Sequence, residues 1–259
     1  MSGGGPSRGA VIFGAIIQRY ETVDSTQNVA RNLARAGARP GTIVAAAFQT
    51  AGRGRRGRTW HAPLGANVCL TAIGPPVALA DAWQIAFVAG LAACDAVREI
   101  APALDARVRF PNDVIAGGRK LCGVLVETVG ALTPLIGIGI NVRAAPLPPE
   151  VAAIATSLEA ETGAACEVAA VEAVLLRQLT LCWEEWTVGG FAATLARWRP
   201  LADPDARRVF VLNGRLASCR VCDIRDDGVA LLETPTGAMC RMPAAAVILG
   251  EETAVAGTS

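Results

Sequence analysis

The chain has 259 residues, 52 % of them apolar and 18 % charged, with a formal net charge of +1 at pH 7. That length fits one large domain plus a small one, and the apolar share supports a large core, which excludes global disorder. The near-neutral balance excludes a protein that is basic throughout, so any anion-binding function must be local.

Residues 1–10 carry no apolar stretch and are expected to be a disordered start, not a signal peptide. Without an export signal the eight cysteines are expected to be mostly free, in a reducing cytoplasm. Residues 11–18 read as a first strand. Asp24-Ser25 then precedes a helix over 25–36, with Ser25 as its N-cap and Gly37 as its stop. A buried strand is expected over 42–48, a glycine-arginine loop over 51–58 and a strand over 66–73. A long apolar helix covers 80–100. Its most apolar part, 83–94, is too short for a membrane span, so no membrane contact is expected. Residues 107–115 and 119–128 read as two strands around the Gly117-Gly118 turn, followed by a strand over 134–140. A proline-rich connection, 144–150, leads to helices over 168–186 and 191–198. After Pro200 the texture changes to short strands at 209–212, 216–224, 229–233 and 239–242, with tight turns at 213–214, 226–228 and 236–237, which suggests a small β-barrel. Hairpin strands with segregated helices favour an α+β fold with a mixed β-sheet and packed helices. Cys219 and Cys222 lie at an offset that puts them on opposite faces of a strand, a poor zinc pair.

Several segments carry chemistry. Lys120 is the sole lysine; every other basic residue is arginine. Lysine is a compact point charge on a flexible stem, unlike the flat arginine fork, so its survival here points to a place that needs an ammonium. Gly52-Arg53-Gly54-Arg55-Arg56-Gly57-Arg58-Thr59-Trp60 places four arginines on a glycine-spaced loop beside a flat aromatic wall. The four charges repel one another, so the loop should be mobile until an anion neutralises it. Ser25, Thr26 and Gln27 open a helix, where unpaired amide donors can hold a polar ligand head, although capping alone explains them equally well. Gln49 sits where a strand meets the arginine loop. Pro111 breaks a strand run, so Asn112 and Asp113 are expected at a gap in the ladder, where Asp113 could carry Mg²⁺. Glycines at 137 and 139 within a strand mark a close approach by a ligand. Together these residues suit a carboxylic acid and a nucleotide. His61 is the sole histidine and no nucleophile signature surrounds a Ser or Cys, which argues against a catalytic triad.

In order and spacing these segments resemble the biotin protein ligases. The family's arginine-glycine loop is matched by Gly52 to Trp60, its Asp-Ser-Thr by Asp24-Ser25-Thr26, and its Gln by Gln49. Its Pro-Asn-Asp is matched by 111–113, its Arg-Lys-Leu-x-Gly-x-Leu-x-Glu strand by 119–127 and its Gly-Ile-Asn by 139–141. One departure is Arg109-Phe110, where the family usually has Lys-Trp. The ~20 residues before Asp24 are too few for a winged helix, so a repressor role is not expected.

The resemblance implies a catalytic domain over 11–200, a small SH3-like β-barrel over 201–250 and a flexible tail over 251–259. It implies ATP and biotin as substrates with Mg²⁺, and a biotin carboxyl carrier protein or carboxylase carrier domain as partner. No nucleic-acid partner is expected, and a homodimer stays open. Lys120, Arg55 and Arg58 would be the catalytic cations. Biotin would lie among Ser25, Thr26, Gln27, Gln49, Arg53, Gly54, Arg55, Trp60, Lys120, Gly123 and Leu125. ATP would meet Arg53, Arg55, Arg58, Asn112, Lys120 and Asn141, with the metal at Asp113. On a regular strand Lys120 and Gly123 face opposite ways, so joint contact with ligand requires either a bulge near Leu121 or a ligand that wraps the end of the strand. The rival readings are a lipoate-type ligase, a nucleic-acid-binding module built on the arginine loop, and a weak biotin-binding protein.

Overall fold

The computed structural model describes residues 11–130, 132–205, 207–212 and 215–249. The expected disordered start and tail, and the turn at 213–214, lie outside these residues. Strands β1 (Ile16–Val23) and β2 (Thr42–Gln49) run parallel and are joined by helix α1 (Thr26–Arg35). β3 (Asn67–Ile73) follows the arginine loop. A 3-10 turn, Leu79–Gln84, then leads into α2 (Ile85–Ile100). β4 (Arg107–Arg109), β5 (Asp113–Ala116), β6 (Arg119–Val129) and β7 (Thr133–Asn141) complete a seven-stranded sheet of order β1-β2-β3-β7-β6-β5-β4. Short α3 (Pro149–Ala152) and α4 (Leu158–Thr162) lead to the long α5 (Val168–Leu201), interrupted at Gly190, whose φ is 67°. A second sheet, of order β11-β10-β9-β8, comprises β8 (Arg207–Leu212), β9 (Arg215–Ile224), β10 (Val229–Glu233) and β11 (Met239–Pro243), followed by α6 (Ala244–Leu249). The architecture is α+β, and the small antiparallel sheet fits an SH3-like unit.

Side-chain alternation decides what each face of the main sheet does. Val68, Leu70 and Ala72 of β3 and Ile136, Ile138 and Ile140 of β7 join the main core with α2 and α5. α2 is apolar nearly all round, as a helix between a sheet and another helix must be. Leu79–Ile100 as a whole is long and apolar enough to cross a membrane, a longer stretch than the sequence suggests, yet it forms the centre of this core. On the opposite face α1 covers one end. There α1 lays Ala30 on Val44, Ile73, Leu135 and Val129. Further along this face the small residues Thr71, Gly137, Gly139 and Gly123 form a low floor, on which Trp60, Gln27 and Lys120 rest closely.

Three differences from the sequence reading have simple causes. β1 starts at Ile16 and runs on through polar residues, because an edge strand needs burial on little of its surface. The strand expected over 107–115 is a hairpin of two short strands, broken at the cis Phe110–Pro111 bond. α4 and α6 are too short to show a helical period.

Candidate functional site

Gln49 at the end of β2 accepts from the Thr26 amide (2.9 Å) and hydroxyl (3.2 Å), capping α1 from a neighbouring strand. Ser25 occupies the N-cap position but its side chain makes no capping bond. That departs from the expected cap and leaves a buried hydroxyl beside the sheet floor. Gln27 turns inward and donates to the Leu125 carbonyl at 2.9 Å, while its Oε1 is buried with no partner. A buried acceptor without a donor is costly, so this oxygen suits an incoming N–H. Thr71 donates to the Thr26 hydroxyl at 2.9 Å.

The register of β5 against β6 shifts between Val114 and Ile115, leaving Leu121 as an extra residue on β6. Of the two ways for one ligand to meet both Lys120 and Gly123, this is the bulge. It turns Lys120 onto the face of Gly123: a Cβ added to Gly123 would stand 3.0 Å from Lys120 Nζ. The Lys120 ammonium donates to Asp113 Oδ1 at 2.7 Å and lies 5.6 Å from the centre of the Trp60 ring.

The Trp60 indole lies flat against the glycines of the floor. A Cβ on Gly139 would meet its ring at 2.5 Å, and one on Gly137 would meet Gln27 Nε2 at 2.8 Å. The close approach signalled by these glycines is therefore made by the protein's own side chains. The remaining cavity is about 60 Å³, room for a few waters. Its walls include Ser25, Thr26, Gln27 and Gln49 from the α1 side, and Arg53, Gly54, Arg55 and Trp60 from the loop. Lys120, Gly123, Leu125 and Asn112 close it from β6 and the hairpin. Gly139→Ala should push the indole away. It is expected to cost about 1–3 kcal/mol in urea unfolding.

Arg53 and Arg55 are tied down by specific partners. Arg53 pairs with Glu127 and donates to Asn28 at 3.0 Å, whereas Arg55 donates to Asn112 at 3.3 Å and to the Val247 carbonyl of α6. Gly54 N to Arg58 O (2.7 Å) and Trp60 N to Gly52 O (2.9 Å) close the loop, with Arg56 left-handed at φ 56°. Burial, then the charges of Arg56 and Arg208, lower the Arg55 pKa to about 10. Its positive charge is thus poorly compensated. Arg58 is exposed and lines neither this cavity nor its neighbour.

Asp113 does not fit a magnesium ligand. It is buried, with Lys120 on Oδ1, Arg208 on Oδ2 and Arg109 3.7 Å away. Burial pushes its carboxyl up, but Lys120 and Arg208 outweigh that and hold it below the usual range. Its lone pairs serve cations the chain already carries, and no group of three His, Cys, Asp or Glu suited to a metal occurs among the described residues.

Asn141 is not in the Lys120 cavity. It donates to the Thr156 carbonyl (2.8 Å), accepts from Asn67 (2.7 Å) and lines an adjoining hollow of about 160 Å³ with Arg119, Arg143 and Ser157. The Lys120 backbone separates the two spaces, bonding to Ile154 O (2.8 Å) and Thr156 N (2.9 Å). The sequence does not single out Arg208, which reaches the site from the second sheet, or Asn28, which follows Gln27 on α1, and it marks Glu127 only as the last residue of the 119–127 strand.

A model of the Biotin/lipoate A/B protein ligase family matches residues 20–142. The Bifunctional ligase/repressor BirA of Bacillus subtilis is 33% identical over 239 residues, covering 87% of this chain and 72% of the relative. The Biotin--[acetyl-CoA-carboxylase] ligase of Paracoccus denitrificans is 32% identical, covering 88% and 98%. Among solved structures, the biotin protein ligase from Aquifex aeolicus in complex with biotin and ATP superposes with a TM-score of 0.77 at 26% identity, covering 88% of this chain and 96% of that one. A floor of glycines under one ammonium, walled by the arginine loop, thus accompanies likeness along most of the chain, and the chain belongs to the biotin protein ligase family.

Proposed function

We propose that this chain joins the carboxylate of biotin to the α-phosphate of ATP and passes the biotinyl group to a lysine of a carboxylase carrier domain, with Lys120 as the central cation. The observation that carries this reading is the Lys120 ammonium standing over the Gly123 floor, within reach of both the Gln27 end of the cavity and the arginine loop. A biotin carboxylate oxygen forms the new bond to phosphorus as pyrophosphate departs. Both reactants are anions, so they approach only where cations offset their repulsion and the charge that grows at phosphorus. Lys120 bridges carboxylate and phosphate, and Arg55 and Arg53 close over the product and keep water out. The acceptor amine then attacks the carbonyl of the mixed anhydride, AMP leaves, and the amine loses its proton.

The unpartnered Gln27 Oε1 and the Ser25 hydroxyl suit the ureido ring, and the Trp60 indole must shift to admit it. The nucleoside fits the adjoining hollow beside Asn141, reached past the Lys120 backbone. Magnesium, which ATP ordinarily carries, would ride on the phosphates rather than on Asp113. The eight cysteines are all unpaired, which suits a cytoplasmic reaction. Incubation with ATP, a carrier domain and labelled biotin or lipoate tests this: biotin should be transferred, and transfer of lipoate alone would reject it. Because the Arg55 charge is disfavoured by its surroundings, Arg55→Met is expected to unfold in urea no earlier than the parent. The same variant should lose ~10²-fold in pyrophosphate exchange.

A further inference from the structure

Asp113 and Lys120 taken alone are a neutral pair, and a neutral pair draws no anion. Yet Asp113 also holds Arg208, the second residue of β8. The Arg208 guanidinium donates from Nε to the Phe110 carbonyl at 3.0 Å and from Nη2 to Asp113 Oδ2. Lys120 keeps the other oxygen, Oδ1. The carboxylate is almost fully buried, whereas the three cations around it each retain some exposure. The cluster of Arg109, Lys120 and Arg208 about one carboxylate therefore carries a net positive charge, and Lys120 has a single point of attachment.

We infer that Arg208 is a positioning residue: by occupying and neutralising Asp113 Oδ2 it stops the carboxylate from gripping Lys120 with both oxygens, and so leaves the ammonium able to turn to the substrates. This rests on Lys120 being the cation of the ligase reaction. It assigns the second sheet a role in that reaction through one side chain, which acts on Lys120 without touching substrate. Arg109 cannot replace it, because its nearest approach to the carboxylate is 3.7 Å.

The test compares the full-length wild type with Arg208→Met and Arg208→Lys. Single-turnover formation of biotinyl-AMP is measured at saturating ATP, together with thermal melting, biotin affinity, and affinity for α,β-methylene-ATP. Arg208→Met should lose ~10- to 100-fold in rate, the penalty for a displaced reacting group. It should melt as the wild type does, and its affinities for biotin and for the analogue should stay close to wild type. Arg208→Lys should recover part of the rate, because the charge that occupies Asp113 remains. Three results would overturn the inference: an unchanged rate in Arg208→Met; analogue affinity falling in step with the rate, which would make Arg208 a direct nucleotide ligand; or early melting with lost biotin binding, which would make it a strut. Absence of biotinyl-AMP with the wild type would instead reject the ligase reading itself.

Discussion

Lys120→Ala is expected to lower biotinyl-AMP formation by ~10²- to 10³-fold, the usual loss when one group stabilising transition-state charge is removed. The protein should still fold. Asp113 keeps Arg208 as partner after the substitution, so no buried carboxylate is left alone. Biotin should still bind, more weakly, because Gln27, Ser25 and the glycine floor are untouched. Lys120→Arg makes the sharper comparison. It preserves charge but puts a broad planar fork where Gly123 and the Trp60 ring leave space for a narrow stem. It should recover little of the rate, and a fully active arginine variant would refute the need for an ammonium. Pyrophosphate exchange and single-turnover product formation both read this outcome.

Asp113→Asn is expected to do damage of a different kind. It removes the negative charge that Lys120, Arg208 and Arg109 share, leaving three cations to repel one another around a buried amide. Breaking a buried pair by removing one partner typically costs 3–5 kcal/mol, and because the cations can swing outward about 3 kcal/mol is expected here. Urea unfolding should register it as an earlier midpoint with an unchanged slope. The wild type should show the matching pH dependence. The folded Asp113 carboxyl titrates below its ordinary value, so its contribution is fully present above the unfolded pKa of ~3.9 and is lost as the pH falls through the folded value below that. A variant as stable as the parent at pH 7 would show that the carboxylate organises nothing.

Much of this site could be read from residue order because its parts are local. The loop of glycines and arginines, the break at Pro111 and the glycines of β7 each announce themselves within a few positions. Period-two geometry left a bulge at Leu121 or a ligand wrapped round the strand end as the ways to use both Lys120 and Gly123, and the chain has the bulge. What escaped was pairing over distance. Gln49 stands out only as the residue where a strand meets the arginine loop, but its partner is the first turn of α1, so the capping assigned to Ser25 passes to another strand. Asp113 alone looks like a metal ligand, and only the arrival of Arg208 from the second sheet, 95 positions away, shows that its oxygens are committed. The mutual repulsion expected among the loop arginines is likewise relieved at Arg53 and Arg55 by Glu127, Asn28, Asn112 and the end of α6, none of which lies nearby in the chain.

The apolar segment Leu79–Ile100 has a consequence for how this protein is made. On a growing chain it leaves the ribosome well before α5, whose Leu175, Leu179 and Trp183 share the core with it. Roughly 70 residues separate the end of one helix from the start of the other, about 4–14 s at ordinary rates of synthesis. For that interval a stretch greasy enough to enter a bilayer waits for the helix that covers it in the folded chain.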